Sequence, residues 1–503
     1  MADVQSAGVN GYIPYLFGRR RIYTSTDTIT AENVMEELNN ALPFHVQNMM
    51  EEEYLYWYRR GMQPILSRTK EVRPEINNRV VENHAAEIVA FKDGYFLTEP
   101  AFYVSRNSEA DERVKTLNEY LYRSGKQEAD NAVVDWFHTV GRGALFIRSR
   151  DDDLFPVEVF ALDPRSAFVV YSLAPDHHPV FAVNMVISDK QIHFDVFTGE
   201  RIFRLYGTST GRITTNYPTF TATASALEGD EPNSLRHIPI IEYDYNEVGM
   251  GSFEEAISLL DEINLVQSNR LDGIEQFIQS LAIAVNCEFD ENTTANDIRQ
   301  AGMIVLRSVG ENRAEFKILS EQLDQAQTQV TLDNLYEQVL TICGMPGASR
   351  NGAKSTSDTG TAALARSGWY QADTVARNTR DLFIKSNRLF DEIFTDILRR
   401  KGLLDIKMTE FQLEIAHNET ANVQSKAQAF STLLASGLHP LLAMQKSGIS
   451  NDPISDYAMS KPYIEMIIGN PEKANAANTE GKGEATIIEE DRFTGDNDTG
   501  GAV

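Results

Sequence analysis

Residue types and spacings that could do chemistry are few in this sequence. His177-His178, followed by Pro179, is its adjacent histidine pair. Neighbouring residues of an extended chain point to opposite faces, so the pair is expected on a turn surface and not on a metal ion. Asp151-Asp152-Asp153 could hold a divalent cation with help from elsewhere, but it reads as a solvated hairpin turn. Glu51-Glu52-Glu53 reads as the solvated start of a helix and not as a ligand set. Gly141-Arg142-Gly143 lacks the rest of a dinucleotide fingerprint, and Gly481-Lys482-Gly483 does not approximate a phosphate-binding loop. No H-E-x-x-H, G-x-S-x-G or EF-hand spacing occurs. The chain is therefore expected to have no catalytic residue, no cofactor and no metal site. A hydrolase with scattered carboxylates on the 100–245 segment is the enzymatic alternative.

The elements around these residues suggest a mixed α+β organisation. Residues 1–50 hold an aromatic and basic arm from Tyr12 to Tyr23, then a short helix with Thr30 as N-cap and Glu32, Glu36 and Glu37 near its positive end. Residues 51–62 read as a separate helix ending near Gly61, in which Tyr54, Tyr56, Trp57 and Tyr58 are core or interface aromatics. A further helix is expected from Asn77 to Tyr95, on the spacing of Val80, Val81, Ala85, Ile88, Val89 and Phe91. Asp111–Arg123 and Glu128–Val140 read as amphipathic helices. Strand-like runs follow at 144–148, 157–160, 168–171, 180–187 and 192–197.

From 253 the chain turns helical. Phe253, Ala256, Ile257, Leu260 and Ile263, then Leu271, Ile274, Phe277 and Leu281, form an apolar stripe about 43 Å long at 1.5 Å per residue, broken by polar Gln267–Arg270. Strand-like pieces at 282–289, 302–307 and 314–319 precede a second helix, Leu323–Ile342, so the two helices could form an antiparallel stalk with a β-rich tip. The Gly- and Ser-rich stretch 344–358 must be a loop. A long helix is expected from Thr361 to Lys401, with Gly368 as a candidate kink. A strand at 409–416, helices at about 420–446 and 454–468, and a disordered acidic tail at 471–503 complete the pattern.

The 503 residues carry 73 acidic and 46 basic side chains, a net charge of −27. A protein that grips a duplex through phosphates normally shows a basic face. Any contact with DNA here must be local or loose. The two cysteines, Cys287 and Cys343, make no metal or redox spacing and fit a reducing compartment. No apolar run approaches the ~18 residues that span a bilayer, and Met1–Gln5 lacks the order of a signal peptide. The protein is expected to be made in a cytoplasm and to contact no membrane.

Three stretches together resemble the portal proteins of long-tailed double-stranded DNA bacteriophages, in the Bacillus siphophage branch. They are Asn77-Asn78 with Ile88 to Pro100, where Thr98 replaces the usual Gly; Leu259 to Asn264 with Ser268-Asn269-Arg270, Asp272 and Glu275-Gln276-Phe277; and Cys343-Gly344-Met345-Pro346 with Asp358 to Ala363. Order and spacing agree from about residue 40 to 470. Gly437-Leu438-His439-Pro440 departs from the usual Gly, aliphatic, Ser pattern.

The resemblance implies a portal fold: an α/β wing (1–252, with a long kinked helix at 361–403 and a strand at 404–418), stem helices (253–281 and 324–345), a small β-rich clip (282–323), a tunnel loop (346–360) and an α-helical crown (419–470). It implies a homo-oligomeric ring, usually a dodecamer, at one capsid vertex of the virion, through which DNA is packaged and ejected. The implied partners are double-stranded DNA in the channel, the terminase large subunit, a head-completion adaptor, and the major capsid and scaffold proteins. Arg350 and Lys354 on the tunnel loop are the residues expected to face DNA, with Arg270 and Arg299 as weaker channel candidates. The alternative is an oligomeric head-tail adaptor or scaffold that never touches DNA.

Overall fold

The computed structural model describes residues 18–71, 73–97, 99–188, 191–210, 220–278, 281–285, 287–288, 307–308, 315–319, 325–347, 368–415, 423–450 and 453–469. They fall into two compact units, one running to residue 420 apart from 106–108, the other holding 106–108 and the chain from 421 onward. The first unit opens with β1 (Ile22–Thr24), α1 (Val34–Arg59), α2 (His84–Phe96), β2 (Phe102–Ser105), α3 (Asp111–Ser124) and α4 (Lys126–Val140). A run of strands comes next: β3 (Arg142–Ser149), β4 (Val157–Leu162), β5 (Ala167–Ser172), β6 (Pro179–Ser188), β7 (Gln191–Phe197), β8 (Arg201–Thr210), β9 (Thr221–Pro232) and β10 (Ile240–Asp244). After them stand α5 (Ile257–Ile278), the short strands β11 (Leu281–Val285), β12 (Cys287–Glu288), β13 (Arg307–Ser308) and β14 (Glu315–Leu319), then α6 (Gln325–Ile342), α7 (Trp369–Arg400) and β15 (Phe411–Glu414). The second unit holds α8 (Val423–Ala435), α9 (Pro440–Ser447) and α10 (Pro453–Gly469).

Period-two alternation builds the larger sheet, ordered β1-β5-β6-β7-β8-β9 and antiparallel except for the β1–β5 pair. Ile192, Phe194 and Val196 of β7 point with Phe181, Val183, Phe203 and Leu205 to one face. There the apolar stripe of α1 (Val34, Leu38, Leu42, Val46, Met49) covers them. β9 is an edge strand, and the Asn39 side chain occupies part of that edge. It accepts from the Ala224 N–H (2.8 Å) and donates to the Ala224 carbonyl (3.0 Å), as a neighbouring strand would. The smaller sheet, β10-β3-β4, packs against α3, α4 and α7 around Phe137, Tyr243, Phe383, Phe390 and Phe394. β15 pairs antiparallel with β2, so the chain beyond α7 returns to the first layer.

Several boundaries differ from expectation. α1 is one helix through 34–59, with Pro43 inside it, where two separate helices were expected. Its N-cap residue is Asn33 and not Thr30, whose carbonyl accepts from the Asn33 and Val34 N–H groups one turn earlier. α2 starts at His84; residues 77–83, including Val80 and Val81, are not helical, and the N–H groups of Asn78, Val80 and Glu82 are taken by side chains of α5. Gly368 stands at the start of the described part of the expected helix. It sits at φ +81° as the N-cap residue of α7, a backbone region that favours glycine. The helix expected at 420–446 is split at Gly437 (φ +87°), and His439 caps α9 by accepting from Leu441 N (3.2 Å), with Pro440 in the first turn. β8 and β9 are additional to the strands expected. Residues 302–306, 361–367 and the tail 471–503 lie outside the described residues. Asp151–Asp153 is an exposed turn, with Asp152 Oδ1 accepting from Leu154 N (2.8 Å) and Phe155 N (3.3 Å). His177 has φ +46° and lies in a turn, and His178 pairs with Asp176. Among the described residues no group of His, Cys, Asp and Glu could hold a metal ion, and no helix is long and apolar enough to cross a membrane.

A polar knot lies inside this core. Tyr103 Oη donates to Asp391 Oδ1, Asn387 Nδ2 donates to the same oxygen (2.9 Å), and Lys126 pairs with Asp130 close by. Burial pushes the Asp391 carboxyl up to about 7, against the Tyr103 hydrogen bond and Lys126 and with Asp130, while Arg388 opposes it weakly. A carboxyl raised in the folded state stabilises the fold fully below its ordinary pKa and loses that contribution as pH rises through the raised value. Between pH 5 and 8 the wild-type Tm should therefore fall. In Asp391→Asn, which keeps an acceptor but cannot ionise, calorimetry should show a fall about 5 °C smaller. Equal slopes would remove Asp391 as the titrating group.

Candidate functional site, a helix pair with a polar edge

α5 and α6 run antiparallel. Arg270, near the end of α5, donates from Nη1 to Gln329 Oε1 near the start of α6 (2.9 Å), and Gln329 Nε2 reaches Asp333 (2.8 Å). At the opposite end Glu255 and Cys343 line the same cleft. Leu260, Ile263, Leu332, Val339 and Leu340 form the seam, which continues into Leu55 and Tyr58 of α1 and Ile88 and Val89 of α2. In the chain between the helices, where strands were expected, β11 pairs antiparallel with β14, and β12 with β13.

The polar break in α5 has a definite use. Asn264, Ser268 and Asp272 stand at i, i+4 and i+8, so they share one edge of the helix. All three are buried. Each accepts a backbone N–H from every second residue of the extended segment 78–82: Glu82 N to Asn264 Oδ1 (2.7 Å), Val80 N to Ser268 Oγ (2.9 Å) and Asn78 N to Asp272 Oδ1 (2.7 Å). The match is geometric. Two residues of extended chain advance about 6.7 Å and four residues of helix about 6 Å. Residues 68–83 thus form a strap along α5, and the helix side chains do for it what a neighbouring strand would do.

Asp272 is the busiest anchor of the strap. It pairs with Lys70 (2.8 Å) and Arg68 (3.1 Å) and also accepts from Asn78 Nδ2 (3.0 Å), which reaches on to Glu275 (3.1 Å). Burial alone would push its carboxyl up. The hydrogen bonds from Lys70 and Asn78 outweigh burial and hold it below the usual carboxylate range. Gln267 donates to Glu82, and Arg68 to Asn269. Every polar residue of 267–270 is engaged by the strap or by α6.

The match to known families decides what this arrangement belongs to. The family model described as "Phage portal protein, SPP1 Gp6-like" matches residues 45–443, which spans the strap, both helices of the pair and α7. The chain belongs to the phage portal protein family. Portal proteins are structural components of phage particles and not catalysts. No curated protein matches the chain.

Of the portal channel candidates, Arg270 lies on the flank of α5 that meets α6. Arg299, Arg350 and Lys354 lie outside the described residues. The ends that bracket 348–367 come together: a Cβ on Gly368 would lie 3.5 Å from Pro346 Cα and 3.7 Å from Gly347 N.

The base of the pair shows a feature that was misread in the sequence. Glu51 and Glu52 are not a solvated helix start; both are fully buried. Arg19, also buried, donates to Glu254 Oε1 (2.7 Å) and the Val140 carbonyl (3.0 Å) and forms an ion pair with Glu51 Oε2 (3.1 Å), while Arg20 reaches Glu51 Oε1 (2.9 Å). Arg142 Nε bonds Glu52 (2.8 Å), and its Nη1 lies 3.5 Å from Glu242. Burial pushes Glu254 up to about 7 in spite of Arg19, and burial raises Glu52 and Glu242 as well. A clue existed: acidic residues following the polar Asn48 on a helix whose other face is apolar, with three consecutive arginines upstream. Tyr58, expected in a core, is fully buried and donates to Asp261 (2.9 Å), whereas Trp57 stays partly exposed.

If Asp272 anchors the strap, Asp272→Ala leaves Arg68 and Lys70 without their carboxylate and Asn78 N without its acceptor. The loss of one buried acceptor set is worth about 1–3 kcal/mol. Tryptic cleavage after Arg68 and Lys70 should accelerate about tenfold or more, while cleavage elsewhere in the first unit is unchanged. Unchanged cleavage would mean the strap is held by other contacts.

Proposed function

We propose that this chain assembles into a ring, of about a dozen copies, at one vertex of a phage capsid, where DNA passes inward during packaging and outward at infection. The portal-family match across the strapped helix pair carries this reading. On it, 1–252 with 361–403 and 404–418 is the wing, 253–281 and 324–345 the stem, 282–323 the clip, 346–360 the tunnel loop and 419–470 the crown. The clip receives the terminase large subunit and later a head-completion adaptor; scaffold and major capsid proteins meet the wing.

Electrostatics supports a conduit and not a clamp. Each phosphate neutralised releases counterions and becomes a bound state that the moving DNA must leave. A chain with net charge −27 presents few such states. Cyclic assembly multiplies one cation per subunit into a ring of charge, so Arg350 and Lys354 suffice to centre a duplex. ATP hydrolysis must be supplied by another protein, because no phosphate-binding loop occurs in this sequence.

Negative-stain electron microscopy with native mass spectrometry tests the ring. Closed rings of about twelve subunits with a hole that admits a duplex are expected. A monodisperse monomer at all concentrations would shift the weight to an adaptor that does not enclose DNA. In rings carrying Arg350→Ala and Lys354→Ala together, ring mass should be unchanged and DNA packaging should drop about tenfold or more. Full packaging would take these two cations out of the channel function.

A further inference from the structure

The stretch 59–79 is an island of opposite sign in this acidic chain: six cations, Arg59, Arg60, Arg68, Lys70, Arg73 and Arg79, against Glu71 and Glu75. Three of the six are consumed internally, Arg59 by Asp135 and Arg68 and Lys70 by Asp272. Arg60, Arg73 and Arg79 have no carboxylate partner among the described residues, and Arg60 and Arg79 are exposed. Arg60, the C-cap residue of α1, lies over the Tyr56 ring (4.4 Å), and Arg79 on the strap rests its Nη1 on the Leu66 carbonyl (2.9 Å).

A complementary surface lies where α5 begins, between α6 and α7. There a cleft of about 560 Å³ is lined by Glu247, Glu255, Asp381, Asn378, Ser252 and Cys343, among others. The three carboxylates are exposed and have no cation partner among the described residues. Ser252 adds an independent sign of an absent occupant: it is 6% exposed, and its buried Oγ has no hydrogen-bond partner. A buried hydroxyl without a partner costs about 1–3 kcal/mol, so a donor or acceptor delivered from outside would be stabilising.

We propose that the cleft receives the Arg60–Arg73–Arg79 surface of a second copy of this chain. The inference rests on the ring reading. A closed ring uses a heterologous interface, in which one surface of a subunit meets a different surface of the next. Three guanidinium groups without a carboxylate partner along 60–79, and three carboxylates without a cation partner in the cleft, meet that requirement. Guanidinium forks suit carboxylates, and one N–H can donate to the Ser252 hydroxyl oxygen. DNA is a poorer occupant, because the carboxylates of the cleft repel phosphate.

The test is charge exchange in the full chain. One variant reverses the strap (Arg60→Glu, Arg73→Glu, Arg79→Glu), a second reverses the cleft (Glu247→Lys, Glu255→Lys, Asp381→Lys), and a third carries all six. Native mass spectrometry at 0.15 M salt should show each triple variant losing about tenfold or more of its ring fraction, with circular dichroism unchanged, and the six-fold variant recovering most of it. Wild-type rings with triple variants that assemble normally, or no recovery in the six-fold variant, would overturn the pairing alone. Wild-type protein that never forms rings overturns the pairing together with the ring reading. A strap variant that assembles normally but loses the mobility shift of a short duplex assigns these arginines to DNA and also overturns it.

Discussion

Burying Arg19 and Arg142 beside Glu51, Glu52, Glu242 and Glu254 is tolerable only if each charge finds a partner, because moving one ion out of water costs several kcal/mol. That condition fixes relative positions across long stretches of sequence. Arg19 must lie against both α1 and the turn that opens α5; Arg142 must lie between α1 and β10. Two backbone crossings are correspondingly tight. Arg19 N donates to the Gly249 carbonyl (2.9 Å), and a Cβ on Gly141 would meet that same carbonyl oxygen at 2.1 Å. Such a cluster adds little net stability compared with an apolar core. Its effect is to admit one arrangement of the strand-rich region against the helix pair.

The strap extends this logic along α5. An apolar helix edge would accept many registers of a segment packed on it. A row of Asn264, Ser268 and Asp272, each buried and each bonded to one named N–H, accepts one. Sliding the strap by one residue turns the N–H groups away from the helix and leaves three buried acceptors empty. The helix pair is therefore held by polar register on one edge and by apolar packing with α6, α1 and α2 on another. Both kinds of constraint lie within the portal-family match, whereas Arg19 lies before it.

How much of this was legible in the sequence depends on the range of the interactions involved. Strands β3 to β7 and helices α3 and α4 were visible because alternation and apolar periodicity are local and their burial is one-sided. The order of helix, short strands and helix over 257–342 was visible for the same reason. α1 was broken in the reading because a glutamate run looks like a helix start, and nothing local shows that Glu51 and Glu52 meet Arg19, Arg20 and Arg142 from distant segments. For residues 77–83 the spacing of Val80 and Val81 suggests a helix; the N–H groups of Asn78, Val80 and Glu82 are instead claimed by a helix almost two hundred residues away. The Asn, Ser and Asp of α5 were noticed as parts of a family pattern, yet their joint use as acceptors required the fold.

The distribution of charge gives the chain a consistency that its net value hides. A basic stretch in so acidic a protein invites the reading of a nucleic-acid grip. In 59–79 half of the cations are already spent on Asp135 and Asp272, which are internal partners. Of the remainder, Arg73 and Arg79 stand on the strap, whose register is fixed by α5, and fixed charge loses less entropy on meeting a fixed counter-surface than charge on a mobile loop does. Rigid cations therefore suit contact between subunits of the proposed ring, where geometry would repeat. A passing duplex presents a new phosphate position at every step, and the cations that meet it should be able to follow. On the proposed reading, Arg350 and Lys354, in a Gly- and Ser-rich stretch of sequence, would take that second task and the strap the first.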